Sequence, residues 1–273
     1  MRKNALRASN SLLAMQVALA VLVSAVPMRV RADDPDPRAL VAKVVSEAGG
    51  ADALREKKDV QYTYLYRNGE TGALDVSVER YVFDGERSWA RYDVHEGGAF
   101  AGLEGTIVQG YDGKSTWQTV DGVRTTDPKQ LKIADFLRKT NFYWFAMTFK
   151  LLDPGMTYVY EGRRKVGDTT YELVRVGFDE GVGDVADTYL LYINPKTSRI
   201  DQFLFTVLDF GKKEPLMMKV EYERVDGLLI GTKRLYAPAT WSGKMLGTPK
   251  WAEEISVGIR FDNGFSNAMF DAP

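Results

Sequence analysis

Cysteine is absent from the 273 residues, and histidine occurs once, at His95. The first absence rules out disulfides, thiolate nucleophiles and metal ligands, and a lipobox residue to acylate. The second leaves no basis for a histidine zinc site. A triad built on His95 needs a partnered serine and carboxylate, yet no Gly-x-Ser-x-Gly elbow occurs. His95 therefore reads as a surface or strand-end residue. No glycine loop of the phosphate-cradling type is present. The run from Asp179 to Asp187 concentrates carboxylates without EF-hand spacing and reads as a solvated turn. Glu253 and Glu254 are neighbours on one strand, point to opposite faces, and make a poor acid/base pair. The sequence predicts no catalytic residue, no metal site and no cofactor.

A long membrane-spanning run is also missing. The apolar stretch Leu12 to Val26 is interrupted by Gln16 and falls short of the ~20 residues that cross a bilayer. With Arg2, Lys3 and Arg7 before it and Val30-Arg31-Ala32 after it, the stretch reads as a secretory signal peptide over residues 1–32, cleaved near Ala32. That predicts a periplasmic protein whose single domain runs over 33–273. Cleavage removes five basic residues and no acidic ones, leaving 31 Lys+Arg against 37 Asp+Glu, a formal charge of −6. Such a balance disfavours nucleic acid, whose affinity depends on basic residues neutralising phosphates.

What the chain does contain is turn chemistry. Asp84-Gly85, Asp112-Gly113, Asp121-Gly122 and Asp226-Gly227 each separate runs rich in Val, Ile, Tyr, Phe or Trp. Asp-Gly tolerates the positive φ of tight hairpin loops, so these pairs mark reversals between antiparallel strands. Val60, Tyr62, Tyr64 and Tyr66 alternate as a half-covered strand requires. Further strands are predicted over Ala73 to Phe83, Ser88 to Val94, Gly105 to Tyr111 and Ser115 to Val120. After Pro154-Gly155 come Thr157 to Glu161, Tyr171 to Phe178, Thr188 to Ile193, Gln202 to Phe210, Met217 to Val225, Leu228 to Tyr236 and Trp251 to Phe261. In the last, Ile255, Val257, Ile259 and Phe261 form the buried face.

Two helical patterns interrupt the strands. Asp36-Pro37 caps one in which Leu40, Val41, Val44 and Val45 recur, ending at Gly49-Gly50. From Asp127-Pro128 a second begins with Leu131, Ile133, Phe136 and Leu137; Asn141 is expected to interrupt it before the apolar run Phe142 to Leu152. That run is apolar on nearly every side, so it should lie between two apolar surfaces or border a cavity. Eleven or twelve strands in one antiparallel sheet must curl, because twist accumulates and a flat sheet exposes its apolar face. The expected fold is mainly β: one large antiparallel sheet curled into an open half-barrel, its concave face covered by an N-terminal helix and the inserted apolar helical segment.

Three segments resemble the LolA-like periplasmic lipoprotein-carrier superfamily: Ala48-Gly49-Gly50-Ala51-Asp52-Ala53-Leu54, Tyr111-Asp112-Gly113-Lys114-Ser115-Thr116-Trp117, and Phe265 to Pro273. Asn141 to Gly155, Gly181-Val182-Gly183-Asp184 and Tyr192-Ile193-Asn194-Pro195 are more similar to an uncharacterised exported branch of that superfamily. The resemblance implies an open β-barrel closed by helices over an apolar cavity that, in the carriers, receives acyl chains. It also implies an arginine that holds the helical lid, for which Arg80 and Arg91 on early strands are the candidates.

The resulting expectation is a non-catalytic binding or carrier protein for a lipid, an acylated protein or another apolar ligand, released at a partner membrane or membrane protein. A structural or interaction module with a filled core is the alternative, and a hydrolase is a distant one. Candidate cavity contacts are Trp89 and Trp117 in the first half, and Phe142, Trp144, Phe145, Met147 and Phe149 on the inserted segment. Each of these also fits an ordinary core position.

Overall fold

The computed structural model describes residues 34–179, 181, 187–208 and 212–273, with the side chains of residues 212 and 213 left aside. The expected signal segment and most of the acidic loop lie outside the described residues.

Helix α1 (Pro37–Ala48) starts as its sequence dictates, with the Asp36 carboxylate accepting from the Arg38 N–H and proline in the first turn. A short α2 (Ala53–Glu56) follows. Six strands come next: β1 (Asp59–Arg67), β2 (Leu74–Val82), β3 (Arg87–His95), β4 (Ile107–Tyr111), β5 (Thr116–Val120) and the two-residue β6 (Val123–Arg124). Helix α3 (Pro128–Lys150) separates them from β7 (Met156–Val166), β8 (Thr169–Phe178), β9 (Tyr189–Asn194), β10 (Arg199–Val207), β11 (Lys212–Val225), β12 (Leu228–Pro238) and β13 (Ala252–Phe261). All thirteen join one antiparallel sheet in the order β6-β5-β4-β3-β2-β1-β13-β12-β11-β10-β9-β8-β7. The chain runs outward along one half, crosses over through α3, and meanders back to close against β1. The sheet remains open between β6 and β7, which gives the half-barrel expected from the turn pattern, with one more short strand than counted.

The Asp-Gly pairs divide into two kinds of turn. Asp121-Gly122 and Asp226-Gly227 are two-residue loops in which both residues take positive φ, 50° and 79° in the first and 48° and 85° in the second. The other two pairs lie in four-residue loops. In one of these the Asp112 carboxylate accepts from the N–H groups of Lys114 and Ser115.

Asn141 does not break the second helix. α3 runs continuously for 23 residues from an Asp127 cap, because Asn141 is buried against the sheet, where its Nδ2 lies 3.5 Å from a Glu79 oxygen. One apolar cluster joins Val41, Val44 and Val45 of α1 to Met147, Leu151 and the inner faces of β8 to β11. A second joins Ala48 and Leu54 to Phe142, Phe145 and Phe149 of α3 and to β1, β2 and β12. Outside the sheet, Trp241, Met245 and Trp251 pack on Leu173, Leu190 and Leu204.

The buried face of β13 is not the one that the alternation suggests. Ala252, Glu254 and Ser256 are buried, while Val257 is 47% exposed. Gln61 pairs with Arg260 but Thr63 pairs with Val257, so Gly258 and Ile259 together oppose Tyr62. This β-bulge, with Gly258 at φ 65°, switches the inward parity, and only beyond it do Ile259 and Phe261 join the core.

Candidate functional site

Between α3 and the concave face of the sheet lies a cleft of 1110 Å³. Its helical wall includes Phe136, Thr140, Tyr143 and Trp144; across from them are Phe205, Leu216 and Met218 of β10 and β11 and Tyr64 and Tyr66 of β1. Strand period and helix crossing create this arrangement. Alternate residues of each strand face inward, and an all-round apolar helix above them has one flank packed and another left over the gap.

α3 is tied to the sheet by charge at one end of the cleft. Arg138 is fully buried and grips Glu79 of β2 with both ends of its guanidinium, at 2.6 and 3.1 Å. Arg138 also donates to the Tyr92 hydroxyl at 3.0 Å and to Gln109 Oε1 at 3.2 Å. Glu79 further accepts from Tyr81 and Ser77, at 2.9 and 2.7 Å. Burial is the largest single influence and opposes the charge on Arg138, but Glu79 together with Tyr92 and Tyr81 outweighs it and holds the guanidinium well above its ordinary value, so it stays ionised. Burial likewise raises the hydroxyls of Tyr62, Tyr64 and Tyr81, keeping them neutral.

Arg80 and Arg91 play no part in this anchorage. Arg80 lies on the outer surface over Trp89 and Phe265, 4.8 and 5.3 Å from the ring centres, and Arg91 pairs with exposed Asp93. The helix supplies the arginine and the strand supplies the acid, the reverse of a search among strand arginines. The spacing of Arg138 four residues before Phe142 and seven before Phe145, on the face that those rings bury, is the signal that could have found it.

The seven aromatic and methionine candidates fall in different places. Phe142 and Trp144 line the cleft. Phe145 stacks on Tyr62 with ring centres 5.0 Å apart, and Phe149 joins it in the second apolar cluster, while Met147 belongs to the first. Trp89 and Trp117 alternate with residues that face α3 and so lie on the outer side of the sheet. There the Trp117 indole donates to the Phe270 carbonyl at 2.8 Å beneath the C-terminal segment. His95 sits at the end of β3 with Nε2 3.0 Å from the Gly105 carbonyl; its ring packs edge-on to Phe100 of the cleft wall, and His95 itself does not line the cleft. Among the described residues, no group of three or more His, Asp or Glu side chains is placed to hold a metal ion.

Sequence reasoning missed Glu254. It lines the cleft from β13, is 5% exposed, and its Oε2 has no hydrogen-bond partner among the described residues. Arg234, directly opposite on β12, and Tyr64 of β1 both favour the ionised carboxyl. Burial is nonetheless the largest influence and pushes Glu254 up to about 7.

Comparison with known proteins supplies the context for this geometry. A family model described as "Family of unknown function (DUF6503)" matches residues 124–227, the stretch from β6 through α3 to the end of β11. The comparison with curated proteins found no match. Among solved structures, a LolA superfamily protein from Nitrosomonas europaea is similar with a TM-score of 0.54 and 11% identity, over 87% of this chain and 98% of that one. A DUF1329 family protein from Desulfovibrio piger is similar with a TM-score of 0.52 and 13% identity, over 87% of this chain and 98% of that one. At such identities the likeness is one of architecture, and the chain has a LolA-like fold.

Proposed function

We propose that this is a non-catalytic binding or carrier protein, working in the periplasm after removal of residues 1–32, that holds an acyl chain or another apolar ligand between α3 and the sheet. The observation that carries the reading is the cleft itself. Its 1110 Å³ is comparable with the upper end of the ~300–1,000 Å³ range of small-molecule sites. Phe142 and Trp144 are the proposed contacts on the helical side. Burying an acyl chain gains ~0.8 kcal/mol per CH₂, so a sixteen-carbon chain offers about 12 kcal/mol gross before the costs of ordering it. An apolar wall is sufficient for such binding. Release then requires α3 to move or a partner membrane or protein to compete for the chain.

The test is native mass spectrometry of the mature protein from an exported preparation, followed by solvent extraction and lipid analysis. A stoichiometric acyl lipid or acylated peptide is expected. A clean apo mass, unchanged when lipids are offered, sinks the carrier reading in favour of an interaction module. Phe145, Met147 and Phe149, already packed into core clusters, favour that alternative as far as they go.

A further inference from the structure

The wall of the cleft is not uniformly apolar. On β1, Tyr64 and Tyr66 pair with Ser256 and Glu254 of β13, while Arg234 and Tyr236 of β12 pair with Glu254 and Ala252. These side chains form a polar pole on the concave face. Most of its groups already have partners. The Tyr236 hydroxyl donates to Tyr66 at 3.2 Å, Arg234 Nη2 donates to the Trp144 carbonyl at 2.6 Å, and Tyr64 favours the ionised Glu254 carboxyl. Glu254 is the exception: its side chain belongs to the cleft wall, and its buried Oε2 receives no donor among the described residues. Buried acceptors are paired in folded chains with few exceptions, and an unpaired one in a ligand-sized cleft marks where a ligand donor belongs.

The rest of the wall defines the other end of such a ligand. Trp144, Phe205, Leu216 and Met218 offer an apolar track beside the polar pole. Resting on the carrier reading above, we infer that the cleft takes an amphipath whose head carries a hydrogen-bond donor (hydroxyl, amide N–H or ammonium) bound to the Glu254 carboxyl, with its tail against Trp144, Phe205 and Met218. Once Glu254 is ionised, above about pH 7, a carboxylate-headed lipid offers it no donor and meets its charge. The groups facing Glu254 are Tyr64 and Tyr66 from β1 and Arg234 and Tyr236 from β12. Arg234 is the one cation among them; it faces Glu254 directly and donates through one Nη to the Trp144 carbonyl, so an anionic head at this pole competes with Glu254 and the α3 backbone for it.

The experiment is displacement of the apolar fluorophore N-phenyl-1-naphthylamine from the mature protein by dodecan-1-ol, dodecylamine and laurate, three heads on one tail. It is run at about pH 8.5, where the ionised form of Glu254 prevails. Dodecan-1-ol and dodecylamine should bind about tenfold tighter than laurate, and Glu254→Leu should abolish that preference while retaining dye uptake. Glu254→Gln keeps an acceptor but removes the charge, and separates the two donor heads: dodecylamine should weaken about tenfold and dodecan-1-ol should hold. If the leucine variant fails to fold, the glutamine variant decides, and an unchanged dodecylamine affinity overturns the inference. Equal affinity for all three heads in the parent, or a preference that survives in a folded Glu254→Leu, overturns it too while leaving a carrier that reads tails alone. Failure of the dye and of every amphipath to bind overturns the carrier reading and this inference together.

Discussion

Two buried glutamates show how a residue's partners decide its chemistry. Glu79 on β2 and Glu254 on β13 lie on the two strands that flank β1. Glu79 is gripped by Arg138 and by two hydroxyls, so its charge is compensated where it sits. Glu254 has one tyrosine, a facing arginine and an oxygen left over, and burial lifts it from its ordinary 4.5 to about 7. The sign of the stability effect follows. A carboxyl with a raised native value holds its proton more tightly when folded, so its contribution is fully present below about pH 4.5 and is lost as pH rises through 7. The gap corresponds to about 3 kcal/mol. Relative to the parent, Glu254→Gln should therefore gain on the order of 2–3 kcal/mol of unfolding free energy between pH 4.5 and 8.5. Urea titration across that range measures it, and a pH-independent difference between the two proteins would show that the carboxyl is not desolvated in the native state.

At the scale of the element, α3 has two working faces. Phe145 is 4% exposed among Tyr62, Phe83 and Phe261, whereas Trp144, the next residue round the helix, lines the cleft. Phe145→Ala should cost ~3–5 kcal/mol of stability. Trp144→Ala should cost less and weaken uptake of N-phenyl-1-naphthylamine severalfold, since it removes cleft wall rather than central core. Denaturant unfolding and dye binding on both variants separate the roles, and equal dye affinity in Trp144→Ala and parent takes that side chain out of the site. The apolar run Phe142 to Leu152 was legible as a helix between two apolar surfaces because only composition was needed. Its continuity through Asn141 was not, since a buried asparagine beside Glu79 looks in sequence like a breaker. β13 illustrates the same limit. Its alternation placed Ile255 and Val257 inside, but the bulge at Gly258 reverses the parity, and bulges depend on the register of a strand nearly 200 residues away. Arg138 and Glu254 stayed hidden for a related reason: charge in a sequence reads as solvent-facing until a partner distant along the chain is known.

At the scale of the whole molecule, turn chemistry settled most of the architecture. Asp-Gly reversals and period-two runs require an antiparallel meander, and thirteen twisted strands curl around whatever apolar helix the chain supplies. Residues 34–273 form one compact unit with its own apolar clusters and need no cysteine to hold it. That independence makes the proposed export testable without disturbing the fold. A chain beginning at Asp33 should stay in the cytosol of a Gram-negative host, whereas the full chain should appear in the periplasm with Asp33 or a near neighbour as its new N-terminus. The two products should unfold at the same temperature, because both consist of the same residues. Cytosolic retention of the full chain would place the cleft among cytosolic lipids and overturn the periplasmic reading, while leaving the wall around Trp144 and Glu254 as it stands. A processed protein with a lower melting temperature than the cytosolic one would mean instead that export changes the fold or its bound contents, and extraction of both preparations would distinguish these.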